Sequence, residues 1–174
     1  MCVALNTLGC TYYDLGQHER AIALLAKALR LSESTHPWFE AMVLGNLGLC
    51  WEYVERLDDA LALYYRAREK HREAGSRGGE GEVLDSIGGA LLRLGQPTDV
   101  VECHTQAVHV ARESGTLGGE IAATNGLGAA LLAAGRHDEA AAQYESASLL
   151  ARQVGDQRET ARAGWARRRR IRTR

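Results

Sequence analysis

The chain has 174 residues, of which 45% are hydrophobic and 25% charged, and its formal net charge is −1. This composition is typical of a folded chain, and only two prolines leave long helices possible. No stretch approaches the roughly 18 to 20 apolar residues of a membrane span, and no signal peptide is recognisable at the N-terminus. We therefore expect a cytoplasmic protein without membrane partners.

Four glycines recur at a fixed interval along the chain. Gly9, Gly48, Gly88 and Gly128 are separated by 39, 40 and 40 residues. A period of this length indicates a stacked repeat rather than a globule with a single core. Apolar and small residues recur at helical spacing within each copy, so each copy is predicted to contain two amphipathic helices. The predicted repeats cover residues 1–36, 37–75, 76–115 and 116–155, in one array of residues 1–174.

The positions of the glycines predict how the two helices of a repeat pack and where the first helix of a repeat ends. A glycine inside a helix costs about 1 kcal/mol relative to alanine, so its recurrence predicts close approach of the second helix of the same repeat. Gly16, Gly95 and Gly135 can end the first helices in the left-handed conformation. The predicted helices span residues 3–15, 18–34, 38–54, 58–74, 77–94, 98–114, 117–134, 137–154 and 157–172.

The last part of the chain, residues 156–174, is predicted to form a capping helix and an arginine-rich tail. Residues 158–174 contain eight arginines and one glutamate, a net charge of +7, which leaves −8 for residues 1–157. Such a tail could bind nucleic acid, an acidic protein, an anionic membrane surface or the acidic body of another copy. The alternative is a solvated cap helix. Because isolated arginine runs are common in solvated helices, we regard nucleic-acid binding as the minor alternative.

The repeated residues carry a family resemblance. The second copy contains Leu47, Gly48, Trp51, Ala60, Tyr64 and Ala67. This pattern resembles the tetratricopeptide-repeat (TPR) family over essentially the whole chain. The family's common period is about 34 residues; the longer period here is similar to repeats of kinesin light chains, of Leu-Gly-Asn-rich modulators and of actinobacterial regulatory proteins. The resemblance implies an all-α, right-handed superhelical solenoid of antiparallel helix pairs, with four repeats and a C-terminal capping helix.

The resemblance also implies a binding groove lined by the first helix of each repeat. In the family, the residue three positions before the repeated glycine points into this groove. That position places Asn6, Asp85, Asn125 and, in the ninth helix, Trp165 in the groove, with Asn46 beside it in the second repeat. Carboxamides suit an extended peptide because they both donate and accept hydrogen bonds. Alternatively, these polar side chains cap or bridge neighbouring helices.

Apolar and aromatic contacts are predicted one turn further along, from Tyr13, Leu49, Tyr53 and Leu92. Tyrosines are efficient contact residues because they combine area with a hydroxyl group. The resemblance therefore implies a non-catalytic protein–protein interaction scaffold that binds a peptide or protein segment in its groove. An alternative is the C-terminal regulatory arm of a bacterial transcriptional regulator or signalling NTPase. Since Met1 lies almost inside the first helix, an uncapped N-terminal end could also support a homo-oligomer.

The sequence contains no pattern that predicts catalysis, a cofactor or a metal site. A glycine-rich phosphate loop and the HExxH pattern are both missing. His104 and His109 are five residues apart and do not share a helix face well. The four cysteines follow no metal or disulfide spacing, so we expect reduced thiols. They are Cys2, Cys10, Cys50 and Cys103.

Overall fold

The computed structural model describes residues 1–32 and 36–155, which are helical throughout apart from short connections and contain no strand. Their helices are α1 (Cys2–Asp14), α2 (His18–Ser32), α3 (Pro37–Tyr53), α4 (Leu57–Glu73), α5 (Arg77–Arg93), α6 (Pro97–Ser114), α7 (Leu117–Ala133) and α8 (His137–Val154). Each agrees with its predicted range to within two residues at either end. None of these helices has the length and apolar character needed to cross a bilayer. The predicted ninth helix, Trp165 and the arginine-rich tail lie outside the described residues.

The chain divides into two compact units, and the boundary falls inside α5. Unit 1 extends from Met1 to Val83, and unit 2 begins at Leu84. In unit 1, α1 packs on α2, α2 on α3, and α3 on α4. In unit 2, α6 packs on α7 and α7 packs on α8. Each unit is therefore built by helices that pack on their neighbours along the chain, and the predicted single array of four repeats stays a prediction.

The repeated mid-helix glycines lie where the two helices of a repeat come closest. A Cβ atom placed on Gly48 would lie 2.5 Å from Cε1 of Tyr64, closer than real Cβ contacts. The other pairs are Gly9 with Leu25, Gly88 with His104 and Gly128 with Tyr144. The predicted close approach within each repeat is thus confirmed. Any side chain at these glycines would push the paired helices apart or force a neighbour out of its rotamer.

Left-handed residues end the first helix of each repeat. Gly16, Gly95 and Gly135 have φ values of 72°, 73° and 76°, as the sequence predicted. The second repeat has Glu55 at this place, with φ of 62°, the one positive φ of a non-glycine residue in the described chain. A residue with a Cβ atom is disfavoured in this region by about 1 to 2 kcal/mol. The tight turn is therefore kept even where the sequence does not supply glycine.

A buried carboxylate joins the start of α5 to α4 within unit 1. Glu80 is 1% exposed. Its Oε1 accepts a hydrogen bond of 2.8 Å from Nε of Arg72, and its Oε2 accepts one of 2.9 Å from Nη1 of Arg77. The Nε atom of Arg68 lies 3.6 Å from the same carboxylate. Because buried charges are costly unless paired, these guanidinium groups offset the cost of burying the Glu80 carboxylate.

Candidate peptide-binding surface

Five of the predicted groove residues lie on α1 and α3 in unit 1. They are Asn6, Tyr13, Asn46, Leu49 and Tyr53, and together they are called the α1–α3 surface. On α1 the two residues are seven positions apart, and on α3 the three follow an i, i+3, i+7 spacing. Each set therefore shares one helix face. Two side-chain contacts join the residues of α1 to those of α3.

The first contact is a hydrogen bond between two asparagines of adjacent repeats. Nδ2 of Asn46 donates to Oδ1 of Asn6 over 3.1 Å. Asn6 is only 7% exposed, so this bond satisfies a polar group that water reaches poorly. The contact is a polar bridge between neighbouring helices, the alternative that the sequence left open. A carboxamide has two N–H donors and an acceptor oxygen, so the half-buried Asn46 keeps hydrogen-bonding capacity for a ligand.

The second contact is a group of three rings, Tyr13, His18 and Tyr53, which we call the aromatic cluster. The ring of His18 stacks on Tyr53 with centroids 3.7 Å apart. Tyr13 meets His18 edge-on at 5.4 Å and Tyr53 edge-on at 6.2 Å. Tyr53 nevertheless remains 60% exposed, and Leu49 nearby on α3 is 40% exposed. The surface thus presents aromatic and aliphatic area beside the asparagine pair.

His18 was not among the site residues predicted from the sequence. It is the first residue of α2, two positions after the left-handed Gly16. The tight turn returns the chain at once, which brings the start of α2 beside the end of α1 and places the imidazole against the two tyrosines. The turn residues were visible in the sequence. The stacking on Tyr53 was not, since Tyr53 belongs to the following repeat.

The charged residues within α1 and α3 are all acidic, and one of them, Glu40, lies 3.6 Å from Nζ of Lys70 on α4. Asp14 is the one charged residue of α1, and the charged residues of α3 are Glu40 and Glu52, so neither helix contains a lysine or an arginine. Burial raises the pKa of Tyr13, and the nearby charges of Glu52 and Asp14 raise it further. The hydroxyl of Tyr64 donates a 2.7 Å hydrogen bond to Oε2 of Glu52. This bond holds one carboxylate in place next to the aromatic cluster.

Three more predicted site residues lie in unit 2. Asp85 and Leu92 are seven positions apart on α5 and both are exposed, Asp85 by 67% of its side chain. Asn125 on α7 is 1% exposed and therefore faces the interior of its unit. A ligand would reach its amide only after a rearrangement. The binding roles of these three residues stay predictions, and Trp165 lies outside the described residues.

His104 occupies a packing position in unit 2. Its ring lies between Gly88 and Gly126, where added Cβ atoms would stand 2.5 Å from Nε2 and 2.6 Å from Cε1. Burial lowers the pKa of His104, and Asp85, whose Oδ1 lies 3.8 Å from Nδ1, raises it in part. Among residues 1–32 and 36–155, no group of three or more His, Cys, Asp or Glu side chains is placed to hold a metal ion.

None of the four cysteines forms a disulfide, and two of them are buried. Cys50 and Cys103 lie in the interior, whereas Cys2 and Cys10 are half-buried. Burial raises the pKa of Cys50 to about 11, which keeps it protonated and poorly nucleophilic near neutral pH. The Sγ atom of Cys103 donates to the carbonyl oxygen of Leu84 over 3.1 Å. These contacts fit packing thiols rather than reactive ones.

The fold and one repeat can be compared with known proteins. Residues 2–37 match the family model described as Tetratricopeptide repeat. The crystal structure of nearly identical TPR-like repeats from a kinesin light chain candidate of Podosopora anserina is similar over 97% of this chain and 87% of that chain, with 19% identity and a TM-score of 0.75. Residues 2–37 therefore resemble one tetratricopeptide repeat, and the chain shares the fold of such repeats. No curated protein sequence matches it significantly.

Two further solved structures share the fold of this chain. Aspartyl phosphate phosphatase F from Bacillus subtilis is 14% identical, with a TM-score of 0.87 over 95% of this chain and 44% of that chain. The apo form of RapI is 12% identical, with a TM-score of 0.84 over 96% of this chain and 48% of that chain. The chain therefore spans less than half the length of either neighbour. The TM-scores show that the fold is an all-α helical-repeat solenoid of the TPR type. Because the identities are so low, a function has to be argued from the residues of the site.

Proposed function

We propose that this chain is a non-catalytic protein-interaction scaffold of the TPR type that binds a peptide or protein segment on the α1–α3 surface. The observation that carries the proposal is the exposed apolar area of Leu49 and Tyr53 beside the Asn6–Asn46 pair. Stacked helical repeats characteristically offer such surfaces to partners. Amides next to aromatic and aliphatic area supply hydrogen bonds and apolar contact together, the combination that protein ligands require.

The dimensions of the surface suit a short segment of chain. Asn46 and Tyr53 are seven residues apart on α3, which corresponds to about 10 Å along the helix axis. An extended peptide covers that distance with about three residues. In this arrangement Asn46 bonds the ligand backbone, and Leu49 and Tyr53 contact its side chains. Specificity for a longer segment would come from residues that differ between repeats.

The experiment that tests the proposal is selection from a random peptide library displayed on phage. The wild-type protein is compared with the double variant Leu49→Ala/Tyr53→Ala and with a control, Tyr65→Ala/Leu149→Ala, which removes exposed side chains from the second helices α4 and α8. We expect the selected peptides to bind the control unchanged and to bind the α1–α3 variant about tenfold more weakly or worse. Circular dichroism checks that both variants keep their helix content.

Two results would overturn the proposal. One is that no peptide is enriched by the wild-type protein. The other is that the enriched peptides bind the Leu49→Ala/Tyr53→Ala variant as tightly as the wild type. Leu49 and Tyr53 are preferred for this test over Asn6 and Asn125, because changes at the two buried asparagines would alter stability as well as binding.

A second candidate function is a regulatory module within a longer bacterial, cytoplasmic protein. The observation that favours it is that this chain spans less than half the length of the Bacillus subtilis phosphatase whose fold it shares. Reading the coding DNA on both sides of the chain tests it. An adjoining open frame for a DNA-binding or NTPase domain supports the candidate, and stop codons on both sides reject it.

A further inference from the structure

We propose that the aromatic cluster of unit 1 binds the guanidinium group of an arginine side chain in a basic segment of a partner protein. This inference rests on the proposed function, because Tyr13 and Tyr53 belong to the α1–α3 surface. It adds the chemistry of the ligand. Three observations support it: the open face of Tyr53, the acidic residues of α1 and α3, and the presence of arginine–aromatic pairs elsewhere in unit 1.

The open face of Tyr53 is the structural basis of the site. His18 covers one face of the ring at a centroid distance of 3.7 Å, and Tyr13 approaches it edge-on. Because Tyr53 is still 60% exposed, its opposite face is available to a ligand. The two neighbouring rings restrict the motion of Tyr53, so a planar group could stack on it with little further loss of side-chain entropy.

The charge of the surroundings selects a cation. Asp14 and Glu52 are the charged residues of α1 and α3 that adjoin the cluster in the chain, whereas Glu40, near the other end of α3, is buried and lies 3.6 Å from Nζ of Lys70. Glu52 precedes Tyr53 in the chain, and its carboxylate is close enough to the cluster to raise the pKa of Tyr13. The face of an aromatic ring attracts cations. An aromatic face beside a carboxylate therefore favours a cationic side chain over a neutral or acidic one.

Arginine is favoured over lysine by the shape of the site. A guanidinium group is planar, stacks on aromatic rings and pairs with a carboxylate at the same time, whereas an ammonium group is a compact, strongly hydrated charge. Unit 1 already contains such pairs. The guanidinium carbon of Arg56 lies 4.9 Å from the ring centroid of Trp51, and that of Arg20 lies 5.8 Å from the centroid of Tyr12. Both arginines thus lie over aromatic residues of α3 and α1.

The test uses the peptides selected by the intact protein, resynthesised with each arginine replaced in turn by citrulline. Citrulline keeps the planar shape and loses the charge. Binding is measured by isothermal titration calorimetry at about pH 8. We expect every peptide that requires the α1–α3 surface to contain an arginine, and one citrulline replacement to weaken binding about three- to thirtyfold.

Two protein variants test the two parts of the site. Tyr53→Leu keeps apolar area but removes the ring, and Glu52→Gln removes the charge while an amide oxygen still accepts from Tyr64. Tyr65→Leu and Glu145→Gln, both at exposed positions outside the α1–α3 surface, are the matched controls. We expect about three- to thirtyfold weaker binding for Tyr53→Leu. A loss of up to about fivefold is expected for Glu52→Gln, with neither control affected.

The outcomes separate this inference from the proposed function. Peptides that depend on Leu49 and Tyr53 but lack arginine, or that tolerate every citrulline replacement, overturn the inference and leave the proposed function standing. Equal binding by Tyr53→Leu and the wild type overturns it as well. If no peptide depends on the α1–α3 surface, the proposed function fails first.

Discussion

The side-chain amide of Asn46 donates a 3.1 Å hydrogen bond to the buried side-chain oxygen of Asn6 and so ties α3 to α1 across two repeats. We expect Asn46→Ala to lower the free energy of unfolding by about 1 to 2 kcal/mol, because it leaves the acceptor of Asn6 without this donor. In a double-mutant cycle measured by urea unfolding, the double variant Asn6→Ala/Asn46→Ala should cost about 1 kcal/mol less than the sum of the single changes. Strict additivity would contradict a direct bond.

Two glycines of α3 should respond in opposite ways to replacement by alanine. At Gly48 the new Cβ would lie 2.5 Å from the ring of Tyr64, whereas at Gly45 no atom lies within 4 Å. We expect Gly48→Ala to destabilise the protein by about 1 to 3 kcal/mol through overpacking. Gly45→Ala should stabilise it by up to about 1 kcal/mol through helix propensity. Thermal unfolding followed by circular dichroism measures both, and effects of the same sign would refute the packing role of Gly48.

Removing the buried charge of Glu80 should be more costly than removing its counterpart in the next repeat. Glu80 is contacted by three arginines, whereas the more exposed Glu120 pairs with Arg112 at 2.7 Å. We expect Glu80→Gln to cost about 2 kcal/mol, because three arginines lose their buried counter-charge, while Arg72 and Arg77 are about half exposed and are partly compensated by water. Glu120→Gln should cost less than about 1 kcal/mol. Urea unfolding compares the two, and equal losses would contradict the role of burial.

The burial of His104 should make stability depend on pH. Its pKa is lowered from the ordinary 6.5, chiefly by burial, so the unfolded chain binds the proton more tightly than the folded one. The stability is therefore fully present above pH 6.5 and is lost as the pH falls below 6.5 toward the lower folded value. His104→Leu should reduce this loss, since Leu25 fills the same place against Gly9 in the first repeat.

The control for this prediction is His109→Leu, because His109 is exposed on the same helix. Unfolding midpoints in urea are compared from neutral pH downward. Part of the pH dependence should remain in the His104 variant, because burial also lowers the pKa of His71. A His104→Leu protein whose pH profile matches that of the wild type would show that the imidazole does not control the acid sensitivity.

The sequence by itself determined the period of the repeats, the helix boundaries and the close approach at the mid-helix glycines. These features follow from local chemistry. A glycine such as Gly48 repeats where no side chain fits, and residues such as Gly16 end a helix through their own backbone freedom. Because the same residue types recur at the same positions of each repeat, helix boundaries inferred for one repeat apply to the others.

Only the tertiary structure decided which polar and aromatic residues reach the surface. Asn6 and Asn125 occupy corresponding positions in their repeats and are both buried, whereas Asp85 at the same position is exposed. His18 joins the aromatic cluster through a tyrosine of the following repeat. The physical reason is that burial and ring stacking depend on the side chains that a neighbouring helix brings into contact, and those contacts join residues far apart in the chain.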